Sequence, residues 1–171
     1  IAVISTVVTV TLAFGFAYAM TRSCMRFKGV FKMIAMVPIL VPSLLPGIAL
    51  VYLFGKQSLV LKVLEWLFGA EAILPLWQTL VQGGYGPTAI YGPIGIVIAS
   101  VFFTFPHALL IIMTALAIAD ARLYEAATAL RAPKSRIFWT VTLPGARYGL
   151  ISAAFVVFNL VITDFGVPKV I

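Results

Sequence analysis

Acidic side chains are scarce in this 171-residue chain: five Asp and Glu stand against twelve Lys and Arg, and charges of both signs make up only 10% of residues. A soluble globular domain carries roughly a quarter, so that class is excluded. Cysteine occurs once, as Cys24, which rules out an internal disulfide and a cysteine-built metal cluster. Histidine also occurs once, as His107; one imidazole with no cysteine beside it does not make a metal site. No Gly-x-x-x-x-Gly-Lys-Ser/Thr loop is present, so the sequence shows no nucleotide-phosphate cradle of its own. Neither a cofactor nor a resident metal is expected.

What is abundant is apolar: 63% of residues, with a mean hydropathy of +1.13. A spanning helix needs about 20 mainly apolar residues, and four segments supply them or nearly so: 1–20, 33–54, 94–119 and 148–163. The first lacks the basic residues before it and the small-residue cleavage site after it that a signal peptide needs. It reads as a transmembrane helix. With Ile1 at one end and Val170-Ile171 in mid-pattern at the other, the sequence reads as part of a longer polypeptide, truncated at both ends.

Charge fixes orientation. Residues 21–32 hold Arg22, Arg26, Lys28 and Lys32 with no acid, and residues 120–147 hold Arg122, Arg131, Lys134, Arg136 and Arg147 against Asp120 and Glu125. The segment 55–93 balances Lys56 and Lys62 against Glu65 and Glu71, and the tail balances Asp164 against Lys169. Basic loops stay cytoplasmic, so the two positive loops lie inside and 55–93 outside. The net charge of +7 therefore marks topology and not nucleic-acid binding. Outside, 57–68 reads as a short interfacial helix bearing Trp66. Trp77, Tyr85 and Tyr91 follow in a Gly/Pro-rich loop at headgroup level.

Within 33–54, Pro38, Pro42 and Pro46 recur every four residues. Each removes a backbone donor and crowds the preceding turn, so this span is expected to be bent or interrupted. Two readings stay open: a kinked packing helix, or freed carbonyls lining a polar path.

The polar island at 120–147 is the most distinctive stretch. Leu123, Ala127 and Leu130 recur at helical spacing from Ala121 to Arg131, giving a short amphipathic helix. Pro133 ends it and can open a second helix carrying Ile137, Phe138 and Val141, which Pro144 is expected to bend back into the membrane. The result is a protruding elbow. It either docks a partner or merely holds topology.

Glu125-Ala126-Ala127, then Arg131, Val141, Leu143 and Pro144 resemble the signature of binding-protein-dependent ABC transporter permeases: Glu-Ala-Ala, three residues, Gly, nine residues, Ile, one residue, Leu-Pro. Val141 replaces Ile, and Arg131 stands where the family has Gly, a residue permissive of unusual turns. The resemblance covers nearly the whole chain. It implies an all-α polytopic transmembrane helical bundle, the MetI-like permease core, with about four spans and a cytoplasmic coupling helix. It further implies a multi-pass protein of the bacterial inner membrane that hydrolyses nothing itself. Glu125, Ala126, Ala127, Leu130, Arg131, Leu143 and Pro144 would engage cytoplasmic ABC ATPase subunits. A periplasmic or extracellular binding protein and a second permease domain would complete the importer.

Polar groups inside spans face the bundle or water. His107, beside Pro106, is expected to hydrogen-bond a neighbouring helix, and Asn159 to tie helices together. Thr163-Asp164-Phe165-Gly166 resembles a segment of 2-aminoethylphosphonate permeases, and less closely of ferric-iron permeases. That resemblance would set Asp164, with Asn159, His107 and Pro42, near the translocation path. Asp164 at the outer membrane boundary is the alternative. A secondary transporter would need several intramembrane carboxylates, and only Asp164 is available. An intramembrane enzyme would need a paired nucleophile and base. Ser100 and His107, seven residues apart on one helix, lie about 10 Å apart along its axis.

Overall fold

The structure is a computed structural model, and it describes residues 1–22, 26–54, 59–68, 91–118 and 121–171. The described residues form helices only, in the order α1 (Ala2–Arg22), α2 (Lys28–Met36), α3 (Leu44–Phe54), α4 (Leu59–Phe68), α5 (Pro93–Ile118), α6 (Ala121–Ala129), α7 (Lys134–Ile137), α8 (Leu143–Thr163) and α9 (Gly166–Val170). A 3₁₀ turn, Val37–Leu40, follows α2, and a π turn, Phe138–Thr142, joins α7 to α8. Cys24, Asp120 and the loop with Trp77 and Tyr85 lie outside the described residues.

Among the described residues, three apolar runs are long enough to cross a membrane: Ala2–Thr21, Pro93–Ile118 and Lys134–Val170. They pack together as the core. Ile1 and Ala2 lie beside Ile96 and Ser100 at one end, and Thr9 meets Thr104 deeper in, so α1 and α5 run parallel. α8 runs opposite to both, with Gly149 against Ala115 and Ile162 near Ile96.

Small residues make this core. Ala13, Ala17, Ala108, Ala146 and Ala153 are fully buried among Leu109, Ile112, Leu116 and Val157. Between helices in lipid the solvent is as apolar as the side chains, so close van der Waals contact and interhelical hydrogen bonds replace hydrophobic expulsion. Gly149 shows how close: a Cβ there would fall inside the Ala115 side chain. Val3, Ile4, Val7, Ile151 and Phe155 point outward and stay exposed, as lipid-facing residues must.

The proline-bearing segment is broken. Lys28–Leu40 and Leu44–Phe54 meet at 103°, with the break at Val41–Ser43 between Pro38 and Pro46. Pro42 offers its carbonyl to Leu45 N–H at 3.0 Å and so starts α3. Trp66 on α4 is 84% exposed.

Pro144 does not bend the chain as its position suggests. It sits in the first turn of α8, where its missing N–H costs little. The adjustment falls just before it: the π turn widens the helix over Phe138–Thr142 and makes room for the proline ring, which in a regular helix clashes one turn back.

Candidate functional site

The elbow is built by α6, the turn after it, α7 and the π turn. Along α6, Arg122, Leu123, Glu125 and Ala126 are exposed, and Ala127 and Tyr124 are half-buried. Leu123 is 56% and Leu130 82% exposed. The two leucines of the apolar stripe read from the sequence thus turn away from the chain's own bundle, leaving large aliphatic side chains at the tip of a polar projection. Such patches mark contact surfaces.

Arg131 resolves the departure at the family's Gly position. Its φ is 50°, a left-handed conformation shared among described non-glycine residues only with Phe27. Ala132 N–H donates to the Ala127 carbonyl at 3.1 Å and Arg131 N–H to that of Thr128 at 2.9 Å. This bond pair is a Schellman cap with Arg131 at the position that favours glycine. The turn geometry is therefore kept and the arginine bears the strain, which the left-handed region sets at about 1–2 kcal/mol.

One hydrogen bond closes the elbow on itself, and ring contacts of Phe138 hold it to the bundle. Tyr124 Oη donates to Thr142 Oγ1 at 2.7 Å, and Thr142 is buried in the π turn. Phe138 packs its ring against Phe14 and, edge-on at 5.3 Å, against Tyr18. The sequence reading singles out neither Tyr124, Thr142 nor Tyr18, and it names Phe138 only among the apolar residues of the second elbow helix. Phe14 and Tyr18 at i, i+4 on a helix facing the elbow's return strand of chain were the available signal. Leu143 is half-buried and Pro144 exposed just beyond.

At the opposite end Asp164 stands where the helical run stops before α9. Its Oδ1 accepts from Ser43 Oγ at 3.1 Å and from Gly166 N–H at 2.9 Å, while Oδ2 is buried with no partner. It borders a cavity of about 360 Å³ whose lining includes Ser100 and Phe165. Ser100, Thr104, Thr9 and Ser5 are buried hydroxyls in the same half of the bundle, and Thr9 and Thr104 oxygens lie 3.2 Å apart.

The other polar residues stay on their own helices. His107 Nδ1 lies 3.2 Å from the Phe103 carbonyl one turn back, not against a neighbouring helix. Asn159 is exposed and donates to the Phe155 carbonyl at 2.9 Å, so among the described residues it ties no helices together. Pro42 is exposed in the break. The structure brings Asp164 to Ser43, next to Pro42, and leaves His107 and Asn159 apart from that junction.

The sequence pattern described as "Binding-protein-dependent transport system inner membrane component" matches residues 4–171. The chain belongs to this family. Among similar proteins, the molybdenum transport system permease protein ModB of Azotobacter vinelandii is 28% identical over 171 residues, covering all of this chain and 68% of the relative. ModB of Mycobacterium tuberculosis H37Rv is 26% identical over 162 residues, 95% of this chain and 54% of its own length. The inner membrane ABC transporter permease protein YdcU of Escherichia coli K12 is 28% identical over 171 residues, 99% and 54% respectively. The chain thus spans between about half and two thirds of these relatives. None of these names refers to phosphonate or ferric iron, so those finer expectations gain no support. As an inner membrane component of this family, the chain has the all-helical, multi-spanning architecture expected of it.

Proposed function

We propose that this chain is the membrane-spanning core of an ABC importer permease that carries molybdate or a closely similar tetrahedral oxyanion. The elbow from Ala121 to Thr142 is the coupling element, received by a cytoplasmic ATPase subunit. ATP hydrolysis belongs to a pair of such subunits, a binding protein outside delivers the anion, and a second permease domain closes the path. The family match over residues 4–171 carries the reading, and the ModB relatives supply the substrate class.

The chemistry of the outer half agrees. An oxyanion needs donors, and hydroxyls such as Ser100 beside the cavity supply them without fixing a charge. A carboxylate repels a dianion, about 2 kcal/mol at 4 Å even in bulk water and more where water is excluded. Asp164 is therefore not an anion ligand in this reading; its Oδ1 is spent on Ser43 and Gly166.

Uptake of labelled molybdate tests the proposal, in cells with and without the full-length subunit and with sulfate and 2-aminoethylphosphonate as comparisons. Molybdate uptake that depends on the subunit and on ATP is expected. Equal uptake in both strains removes the molybdate reading.

A further inference from the structure

Two interruptions of helix meet at one hydrogen bond. Ser43 ends the break in the proline-bearing span, Asp164 begins the break between α8 and α9, and the Ser43 hydroxyl donates to the Asp164 carboxylate. The surfaces on either side are in contact, tightly at Gly166 and at ordinary van der Waals distance at Gly47. A Cβ on Gly166 would lie 3.0 Å from Leu44 Cγ and 3.3 Å from Ser43 Oγ, and one on Gly47 would lie 3.8 Å from the Val167 backbone and 3.9 Å from Ile171. Gly47 and Val167 are both buried. Along its first turn, α3 therefore rests on α9 with glycine from each side at the contact.

The connection of α3 to α2 is of another kind. It runs through Val41, Pro42 and Ser43, which carry no helix, and the axes turn through 103° there. A helix break of this sort is where a chain can change direction without breaking helical hydrogen bonds, here through the ψ angles of Val41 and Pro42 because the pyrrolidine ring fixes Pro42 φ, whereas packed interfaces do not deform continuously.

We propose that α3 moves with α8 and not with α2, and that Asp164 is the positioning residue that makes it do so. The inference rests on the permease reading above. The run from Lys134 to Val170 begins in the elbow and ends in α9. α8 alone, at 21 residues, is about 31 Å long. A displacement of the elbow by the ATPase is carried along this rod to Asp164, which passes it to Ser43 and so to α3. The chain swivels at Val41–Ser43. The outer half of the broken span is thereby driven from the cytoplasmic side although it is joined in sequence to α2.

Paired spin labels on the full-length subunit assembled with its ATPase test this, comparing the nucleotide-free and ATP–vanadate states. One pair replaces the exposed Tyr52 and Lys169 and spans α3 to α9; a second replaces Met33 and Tyr52 and spans α2 to α3. A label at Leu130 reports the elbow. The expected result is an unchanged Tyr52–Lys169 distance, a changed Met33–Tyr52 distance and a response at Leu130. A changed Tyr52–Lys169 distance, or a constant Met33–Tyr52 distance while Leu130 responds, overturns the inference and leaves the permease reading standing. No response at Leu130 overturns both.

Variants separate the joint from general packing. Asp164→Asn keeps an acceptor oxygen for Ser43 and Gly166 and should leave the Tyr52–Lys169 distribution narrow. Asp164→Ala should broaden it and lower molybdate transported per ATP hydrolysed by about tenfold, the scale set by losing a hydrogen bond to a charged group. Equal behaviour of the two variants would falsify a positioning role.

Discussion

Tyr124 and Thr142 close the elbow: the phenol donates to the threonine hydroxyl at 2.7 Å across 18 residues of chain. One partner lies on the exposed helix α6 and the other is buried in the π turn, so the bond fixes the tilt of the projecting helix against the bundle. Removing it with Tyr124→Phe should weaken this attachment by about 1 kcal/mol. Hydrogen exchange of the α6 amides should speed up several-fold while α1 and α5 stay protected.

Arg131→Gly should stabilise the elbow by about 1 kcal/mol, because glycine adopts the left-handed conformation without the steric cost. Arg131→Val, β-branched and at φ 50°, should destabilise it by more than that. Local exchange at Ala129 to Ala132 would report both, and a gain with valine would refute the strain argument.

Gly149→Leu should prevent α5 and α8 from reaching their present separation, since even a Cβ collides with Ala115. Overpacking of this kind costs typically 1–3 kcal/mol, and the thermal midpoint in detergent should fall. Gly15, whose added Cβ meets nothing within 4 Å, provides the control: Gly15→Ala should not lower the midpoint, since alanine is the better helix former.

Ala127→Cys, with Cys24 replaced, should crosslink to the ATPase subunit in a manner that changes with ATP. Leu130→Asp should reduce ATPase association by about tenfold, because a charge replaces an apolar side chain that is 82% exposed at the tip. Association unaffected by Leu130→Asp would mean that the tip does not dock on the ATPase.

Much of this was legible in the sequence, and the residues show where legibility ended. The uncharged runs at 1–20 and 94–119 can satisfy their backbone in lipid only as helices, and α1 and α5 lie there. Pro133 pointed to the end of the first elbow helix near Ala132, since a proline restricts the residue before it; the helix stops at Ala129, where the cap at Arg131 closes it first. Pro144 misled: it pointed to a bend, and the helix instead admitted a wider turn just upstream. His107 and Asn159 were read as interhelical, but in apolar surroundings the nearest acceptor is the carbonyl one turn back, and both use it. The Ser43–Asp164 bond joins residues 121 apart; nothing local in either segment announces the other.

The π turn at Phe138–Thr142 has a rotational meaning. A π turn holds one residue more than an α turn, and one residue of α-helix corresponds to about 100° of azimuth. The direction in which Leu123 and Leu130 face, measured around the axis of α8, is therefore encoded by a single surplus residue. A one-residue deletion there would leave every helix intact in composition and point the elbow to a different quadrant. Insertions and deletions between Phe138 and Thr142 thus act as a dial on partner geometry, separable from substitutions that alter the elbow's surface.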